Sequence, residues 1–206
     1  MGADYAQIAA QGEALKRVLS GAKRVRVTAP GGTDLSFSIG SRPVFVNDGV
    51  VTEEEAGRQV AFGRIASLPG GSILVAPVET SANGPLVVPR DRCGEEPVVN
   101  ATLRVQNGRM RDFRAERGGE CVHRLLAAYS GAKDRFGIFS IGLNPQLRVQ
   151  GDFRPEDAAG MVGIGIGNNE IAGGENRTPS EWWFPVTRAT VEVDGRMVVR
   201  DGQLVR

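Results

Sequence analysis

The spacing of apolar residues predicts two main helices. Apolar positions recur at helical spacing over residues 3–22, and basic residues lie near the end of this segment, where a helix dipole favours cations. A second amphipathic helix is predicted over 119–132. Residues 52–66 begin with acidic residues and suit either a helix or a loop, while 155–160 resemble a short helix.

Alternation of apolar and polar residues predicts strands over most of the remaining chain. These segments are 24–30, 33–40, 43–49, 72–79, 136–142, the strand within "GMVGIGIGNN" (160–169), "EWWF" (181–184) and 189–205. The clearest hairpin is 101–116, because Asn107-Gly108 suits a type I′ turn between two alternating runs. With hairpins and no β-α-β alternation, residues 1–206 are predicted to form a single α+β domain with a mostly antiparallel, barrel-like sheet.

The composition narrows the possible partners and the compartment. The chain has 25 basic and 24 acidic residues, a net charge of +1, so we expect neither nucleic acid nor an anionic membrane surface as a partner. No apolar run suits a signal peptide or a membrane span, which favours a cytoplasmic protein. Cys93 and Cys121 form no recognised motif and are expected to be two reduced thiols.

The single histidine disfavours an imidazole-based metal centre. Zinc and non-haem iron sites usually need two or three imidazoles, and this chain offers only His123, which is predicted to lie on the second helix. The composition does not exclude a metal site built only from carboxylates.

The glycines of "GMVGIGIGNN" favour a close-packed strand over a phosphate loop. Gly163, Gly165 and Gly167 alternate with isoleucines, whereas a dinucleotide fingerprint needs a strand-to-helix turn. Glycines on one face of a strand allow another backbone or a ligand to approach closely. In "EWWF", adjacent tryptophans are expected to point to opposite faces, so that one of them can serve as a binding anchor or pack at a rim.

Five phrases resemble, in order, the C-terminal half of the M29 family of metal-dependent aminopeptidases. They cover about residues 5–206 and read "PGGTDLSFSIGSR", "LPGGSILVAPVETSANG", "GAKDRFGIFSIGLNP", "GIGIGNNEIAGGENR" and "TVEVDGRMVVRDG". The resemblance implies the fold of that C-terminal domain, and the family's N-terminal α/β domain is expected to be absent. A related branch of the fold contains iron-dependent dioxygenases that open hydroxypyridine rings.

The resemblance also implies that the metal ligands have been replaced. Ser72 and Ile138 stand where the family has metal-binding glutamates, and Gly163 stands where it has a histidine. Glu170 takes the place of a tyrosine used by the peptidases. Side chains of glycine and isoleucine offer no donor atom, so neither the two-metal peptidase site nor the iron site is expected to assemble.

A final His-x-Asp pair of the family is also lost, although its register is open. Counting from the double glycine at 173–174 places Glu181 and Trp183 at the two positions, whereas counting from Ser180 places Trp183 and Pro185 there. Both alignments remove both ligands.

These replacements suggest a non-catalytic peptide-binding protein, an aminopeptidase-like pseudoenzyme without metal or other cofactor. A bacterial accessory that holds a precursor peptide for tailoring enzymes of a peptide natural product is the suggested setting. Tryptophans can wall the former pocket, and carboxylates can attract a cationic group. The candidate peptide-binding residues are Ser72, Glu79, Ile138, Gly163, Glu170, Glu181, Trp182 and Trp183.

Two other hypotheses remain. Glu79, Glu170 or Glu181 could serve as the general acid or base of a metal-free cyclase, hydrolase or isomerase. The chain could instead be a scaffold subunit with no ligand. The resemblance further implies a homodimer or a hetero-oligomer with a paralogue.

Overall fold

The computed structural model describes residues 3–148, 156–179 and 181–205. Its α-helices are α1 (Tyr5–Leu19), α2 (Glu53–Ala56) and α3 (Gly119–Ala128), and three short 3-10 helices span Ala61–Arg64, Glu79–Ser81 and Glu170–Ala172. The first seven strands are β1 (Val25–Thr28), β2 (Asp34–Phe37), β3 (Val44–Asn47), β4 (Ser72–Val75), β5 (Gly84–Cys93), β6 (Glu96–Gln106) and β7 (Arg109–Arg114). The others are β8 (Phe136–Gly142), β9 (Val162–Gly167), β10 (Glu181–Val186), β11 (Thr190–Val193), β12 (Arg196–Arg200) and β13 (Gln203–Leu204).

The strands form three antiparallel sheets. Sheet A has the order β13-β12-β11-β1-β2, sheet B the order β10-β9-β8-β4-β3, and sheet C the order β5-β6-β7. The α+β class and the antiparallel character are confirmed. The barrel-like closure is wrong, because each described sheet ends in edge strands; alternation fixes which face a side chain takes but not the order of strands.

One large core joins the three sheets to α1 and α3. Phe37 of β2 packs against Phe136 and Phe139 of β8, with ring centroids 4.9 and 5.0 Å apart. Leu19 of α1 and Val122 of α3 are fully buried in the same cluster. No helix among the described residues is long and apolar enough to cross a membrane.

Turn chemistry explains the hairpins that the sequence predicted. Asn107 and Gly108 both have positive φ, 47° and 73°, as a type I′ turn requires, and they join β6 to β7. Asp194-Gly195 and Asp201-Gly202 do the same between β11, β12 and β13. The predicted 101–116 hairpin is confirmed, and the predicted strand segment 189–205 folds into two successive hairpins.

Helix boundaries depart from the predictions: α1 and α3 are shorter than the predicted segments 3–22 and 119–132, and two further segments differ more. Within 52–66, a capping box between Thr52 and Glu55 starts α2, but this helix ends at Ala56. The helix predicted over 155–160 is wrong over 156–160, where the backbone forms turns and Ala158 bridges to Asn144; Pro155 lies outside the described residues.

The expectation of reduced thiols is also wrong. Cys93, at the end of β5, and Cys121 of α3 form a disulfide, with Cα atoms 6.1 Å apart and a sequence separation of 28. The separation along the chain concealed this proximity, because the hairpins of sheet C bring the end of β5 next to α3.

Candidate functional site

One face of sheet B collects five of the eight predicted site residues. In the antiparallel register, Gly163 of β9 lies opposite Ser140 of β8 and Pro185 of β10. Side chains alternate along each strand, so residues two positions apart share a face. This face therefore carries Ser72, Ile138, Gly163, Glu181 and Trp183.

The indole of Trp183 covers Gly163. A Cβ atom at position 163 would lie 2.3 Å from Cζ2 of Trp183 and 2.6 Å from Oγ of Ser140, so no side chain fits there while the ring is in place. At Gly165, an added Cβ would lie 3.0 Å from Cβ of Ile138. The alternating glycines thus serve close packing, as the strand interpretation predicted, and the space above Gly163 is filled.

A small apolar cluster occupies the centre of this face. Phe45, Leu74 and Ile138 are buried in it together with two alanines, and Trp183 packs against its edge. Two polar atoms are enclosed nearby: Oγ of Ser140 and Nε1 of Trp183 are buried and have no hydrogen-bond partner among the described residues. The surface beside Gly163 is consequently apolar, with two enclosed polar atoms that lack partners among the described residues.

Trp182 lies on the opposite face and has a structural role. Its Nε1 donates a 2.7 Å hydrogen bond to Oδ2 of Asp91 in β5. Its ring packs against Phe184 and Phe113, with centroids 4.3 and 5.5 Å away. The predicted alternation of the two tryptophans is confirmed, and Trp183 alone faces the candidate site.

Glu79 is buried and fully engaged with protein groups. Its carboxylate accepts hydrogen bonds from Arg42 at 2.7 Å, from Nδ2 of Asn169 at 3.0 Å and from the backbone N–H of Glu175 at 2.7 Å. Arg42 also donates to the carbonyl of Gly173. This arrangement ties the 3-10 helix Glu79–Ser81 to the loop after β9, and it leaves Glu79 unable to meet a ligand.

Glu170 points away from the site. It forms a 2.8 Å ion pair with Arg177, and both side chains are exposed.

The carboxyl groups of Glu156, Asp157 and Glu181 are partly desolvated. Desolvation raises the pKa of Glu181. It also raises the pKa of Glu156, and repulsion by the negative charges of Asp157 and Glu181 raises that pKa further. Desolvation also raises the pKa of Asp157, although a hydrogen bond with Ser72 opposes the change. Sequence reasoning missed Glu156 and Asp157, whose only signal was the acidic pair in "PEDAAG".

The described part of the chain contains no cluster of side chains arranged to bind a metal ion. No three His, Cys, Asp or Glu residues there are arranged to hold an ion. Ser180, from which one of the two alignments of the family's final His-x-Asp pair is counted, lies outside the described residues. That alignment places Trp183 and Pro185 at the ligand positions, and neither side chain is a metal ligand.

A cleft of about 490 Å³ opens beside Trp183, between β10 and the β5–β6 hairpin. Trp183 and Pro185 form one wall. The hairpin and the segment after β7 form the rest, chiefly Arg92, Pro97, Val99 and Arg117. This cleft combines an apolar wall with several arginines and the carboxylate of Asp91.

A larger groove of about 620 Å³ lies elsewhere, beside α1. Its cations are engaged with carboxylates: Lys16 pairs with Glu13, and Arg58 pairs with Glu55. It contains none of the predicted site residues, so we place the candidate site at the smaller cleft.

The family profile for the thermophilic metalloproteases (M29) matches residues 2–149. Among solved structures, the chain resembles 2,5-dihydroxypyridine dioxygenase from Pseudomonas putida KT2440, with a TM-score of 0.76 and 21% identity, over 97% of this chain and 59% of that one. It also resembles wild-type AmpT from Thermus thermophilus, with a TM-score of 0.74 and 21% identity, over 99% of this chain and 56% of that one. The chain thus spans somewhat more than half the length of either structure. No curated protein sequence matches it.

Proposed function

We propose that this chain, which belongs to the M29 family of thermophilic metalloproteases, binds a peptide without cleaving it. The observation that carries the proposal is the indole of Trp183 over Gly163, in the space that a metal-binding imidazole would need. Metal-activated water requires several converging anionic or imidazole donors. Ile138 and Gly163 supply none, so the residues present do not fit the family's metal chemistry.

The cleft beside Trp183 supports a peptide as the ligand. A half-buried indole next to a proline offers a flat apolar surface, and tryptophan is a frequent anchor at binding interfaces. β10 lies at the edge of sheet B, where an extended segment can add main-chain hydrogen bonds. Pro185 lacks an N–H group, so such pairing is confined to the first part of β10.

The wider setting remains part of the proposal. An accessory that holds a precursor peptide for tailoring enzymes would need this fold but no metal ligands. We further propose that it assembles as a homodimer or with a paralogue. The disulfide bears on the compartment, because such bonds are more frequent in oxidising compartments than in the cytoplasm expected from the sequence.

One observation favours a second candidate, a metal-free enzyme. Of the three glutamates considered as general acid or base, Glu181 has a pKa raised by desolvation, and it lies near Glu156 and Asp157. Raised carboxyl pKa values are typical of acid-base catalysts. Glu181 is nevertheless exposed at the sheet edge, which suits a binding surface better than a closed reaction chamber.

The test is a selection from a degenerate library of short tryptophan-free peptides on the immobilised full chain. A selected sequence is expected to change the emission of the wild type but not of Trp183→Phe, which retains Trp182. Trp183→Gly should lose binding while thermal denaturation confirms that it is folded. Elemental analysis and aminoacyl p-nitroanilide assays accompany the selection.

Three results would contradict the proposal: tightly held metal together with p-nitroaniline release, failure to select any sequence, or equal binding by Trp183→Gly. Turnover of a selected peptide that Glu181→Gln abolishes would instead establish the metal-free enzyme.

A further inference from the structure

The solvent-facing side of sheet C is dominated by arginine. In the β6–β7 register, Arg104 lies directly opposite Arg111, Thr102 opposite Arg114, and Val99 bridges to Arg117. We call this side the arginine face. It comprises the outward positions Arg90 and Arg92 of β5, Arg104 of β6, Arg109, Arg111 and Arg114 of β7, and Arg117.

A single irregularity in the β6–β7 pairing keeps the arginines of β7 on one side. The register shifts between Thr102 and Arg104, and Asp112 has a positive φ of 51°, so Arg111 and Arg114 both remain outward although three positions separate them. The intervening inward residue, Phe113, packs in the core. The other outward positions are proline, valine, threonine or glutamine, and Asp112, exposed between Arg111 and Arg114, is the carboxylate that β7 itself supplies.

Most of the charge on this face is not neutralised within the described residues. Arg92 pairs with Glu95 and Arg109 with Asp134, both from outside the face. The four arginines Arg104, Arg111, Arg114 and Arg117 form no ion pair with a described carboxylate and are exposed. Like charges directly opposite each other destabilise a sheet. Repulsion between Arg104 and Arg111 therefore lowers the stability of the folded chain, and a bound anion would relieve this repulsion.

The surroundings favour carboxylates over phosphates as that anion. The whole chain has a net charge of only +1, so it produces little long-range attraction for any polyanion, and an anion must be held by short-range contacts with the face. No aromatic residue occupies an outward position of the face itself, so bases lying across it would find no stacking platform there; Trp183 lies in the adjoining cleft. Arginine forks bind carboxylates through paired hydrogen bonds, which favours a local, acidic polypeptide.

The arginine face continues into the cleft beside Trp183. Arg92 and Arg117 belong to both surfaces, and Val99 lies between them. We propose that the ligand is an extended segment rich in glutamate and aspartate, which lies across the arginine face with one end in the cleft. This inference deepens the proposed function and rests on it for the role of the cleft.

The test measures the fluorescence anisotropy of short fluorescein-labelled probes with the full chain. Oligoglutamate is expected to bind, whereas a glycine-serine peptide and oligolysine are not, and added salt should weaken the oligoglutamate complex. Arg104→Glu/Arg111→Glu should weaken it by about tenfold or more. The control Arg17→Glu/Arg196→Glu makes the same change of charge at exposed positions outside sheet C and should have little effect.

The outcomes separate this inference from the proposed function. Tighter binding of oligothymidylate than of oligoglutamate, or equal losses in the two charge-reversed variants, would overturn the inference. If selected peptides change Trp183 emission but oligoglutamate does not bind, the inference fails and the proposed function stands. If oligoglutamate binding depends on Arg104 and Arg111 but not on Trp183, the arginine face is upheld and the role of the cleft is refuted.

Discussion

The indole of Trp183 lies over Gly163 of the neighbouring strand and excludes any side chain at position 163, because an added Cβ would lie 2.3 Å from the ring. The backbone at Gly163 does not have positive φ, so the restriction is one of space alone. The absence of a side chain at 163 and the presence of the ring at 183 therefore form a single structural feature.

Gly163→Ala is expected to destabilise the fold by about 2 kcal/mol, because the ring must move within a packed cluster. In a Trp183→Ala background the same substitution should cost much less, which urea denaturation of all four proteins measures as a coupling free energy. Gly119→Ala is the control, since its Cβ would meet only Ala115 at 3.7 Å in a helix that favours alanine. Equal costs in the two backgrounds would show that Trp183 does not occupy the space.

Glu79→Gln is expected to lower the free energy of unfolding by about 3 kcal/mol, because it removes the charge paired with the largely buried Arg42. Glu175→Gln is the matched control: this carboxylate also contacts Arg42 but is 82% exposed, and its loss should cost less than about 1 kcal/mol. Denaturant titration gives both values. A Glu79→Gln variant of normal stability that no longer binds peptide would return Glu79 to the ligand site.

Glu156 provides a prediction on pH. Because desolvation raises its pKa in the folded protein, the folded state holds a proton at pH values where the unfolded chain has released it. The contribution of this group to stability is therefore lost as pH rises from the ordinary carboxyl pKa through the raised one. Glu156→Gln should gain stability relative to the wild type over this range.

The pH dependence of stability must be compared between Glu156→Gln and the wild type, because other carboxyl groups change stability with pH in the opposite direction. A hydrogen bond from Arg26 lowers the pKa of Asp34, which makes that carboxyl stabilising as pH rises. Denaturation midpoints from acidic to neutral pH, with Glu120→Gln as a surface control, isolate the effect of Glu156. Since Glu156 is exposed in part, the gain should be small, and a constant difference across the range would contradict it.

The disulfide is expected to contribute about 2–4 kcal/mol, given the 28-residue separation of Cys93 and Cys121. Reduction and Cys93→Ser/Cys121→Ser should lower the free energy of unfolding by similar amounts, and a reductant should not affect the double variant. Alkylation followed by mass spectrometry checks the bond directly. Two alkylated cysteines in the unreduced native protein would contradict it.

Local signals predicted much of the fold because their causes are local. Asn107-Gly108 specified its turn through two positive φ angles, and the adjacent tryptophans specified opposite faces through strand alternation. β5 was missed because Pro85 and Pro89 interrupt its pattern; as an edge strand of sheet C, it accepts them.

The site was less predictable because it depends on contacts between distant segments. The ring of Trp183 reaches Gly163 only through the register of β9 and β10, which no local pattern fixes. The arginine face was hidden for a similar reason, since the irregularity near Asp112 breaks the period of two along β7. Glu79 was assigned to the ligand because its partner Arg42 is remote in sequence.

The hydrogen bond between Trp182 and Asp91 joins β10 to β5, and hence the apolar wall of the cleft to the strand that bears part of the arginine face. The two surfaces are thereby preorganised at a fixed spacing. A segment held at one of them meets the other at high effective concentration, so modest contacts combine into avidity. Ligands too short to contact both surfaces would bind with lower affinity, so the length of the ligand would contribute to selectivity.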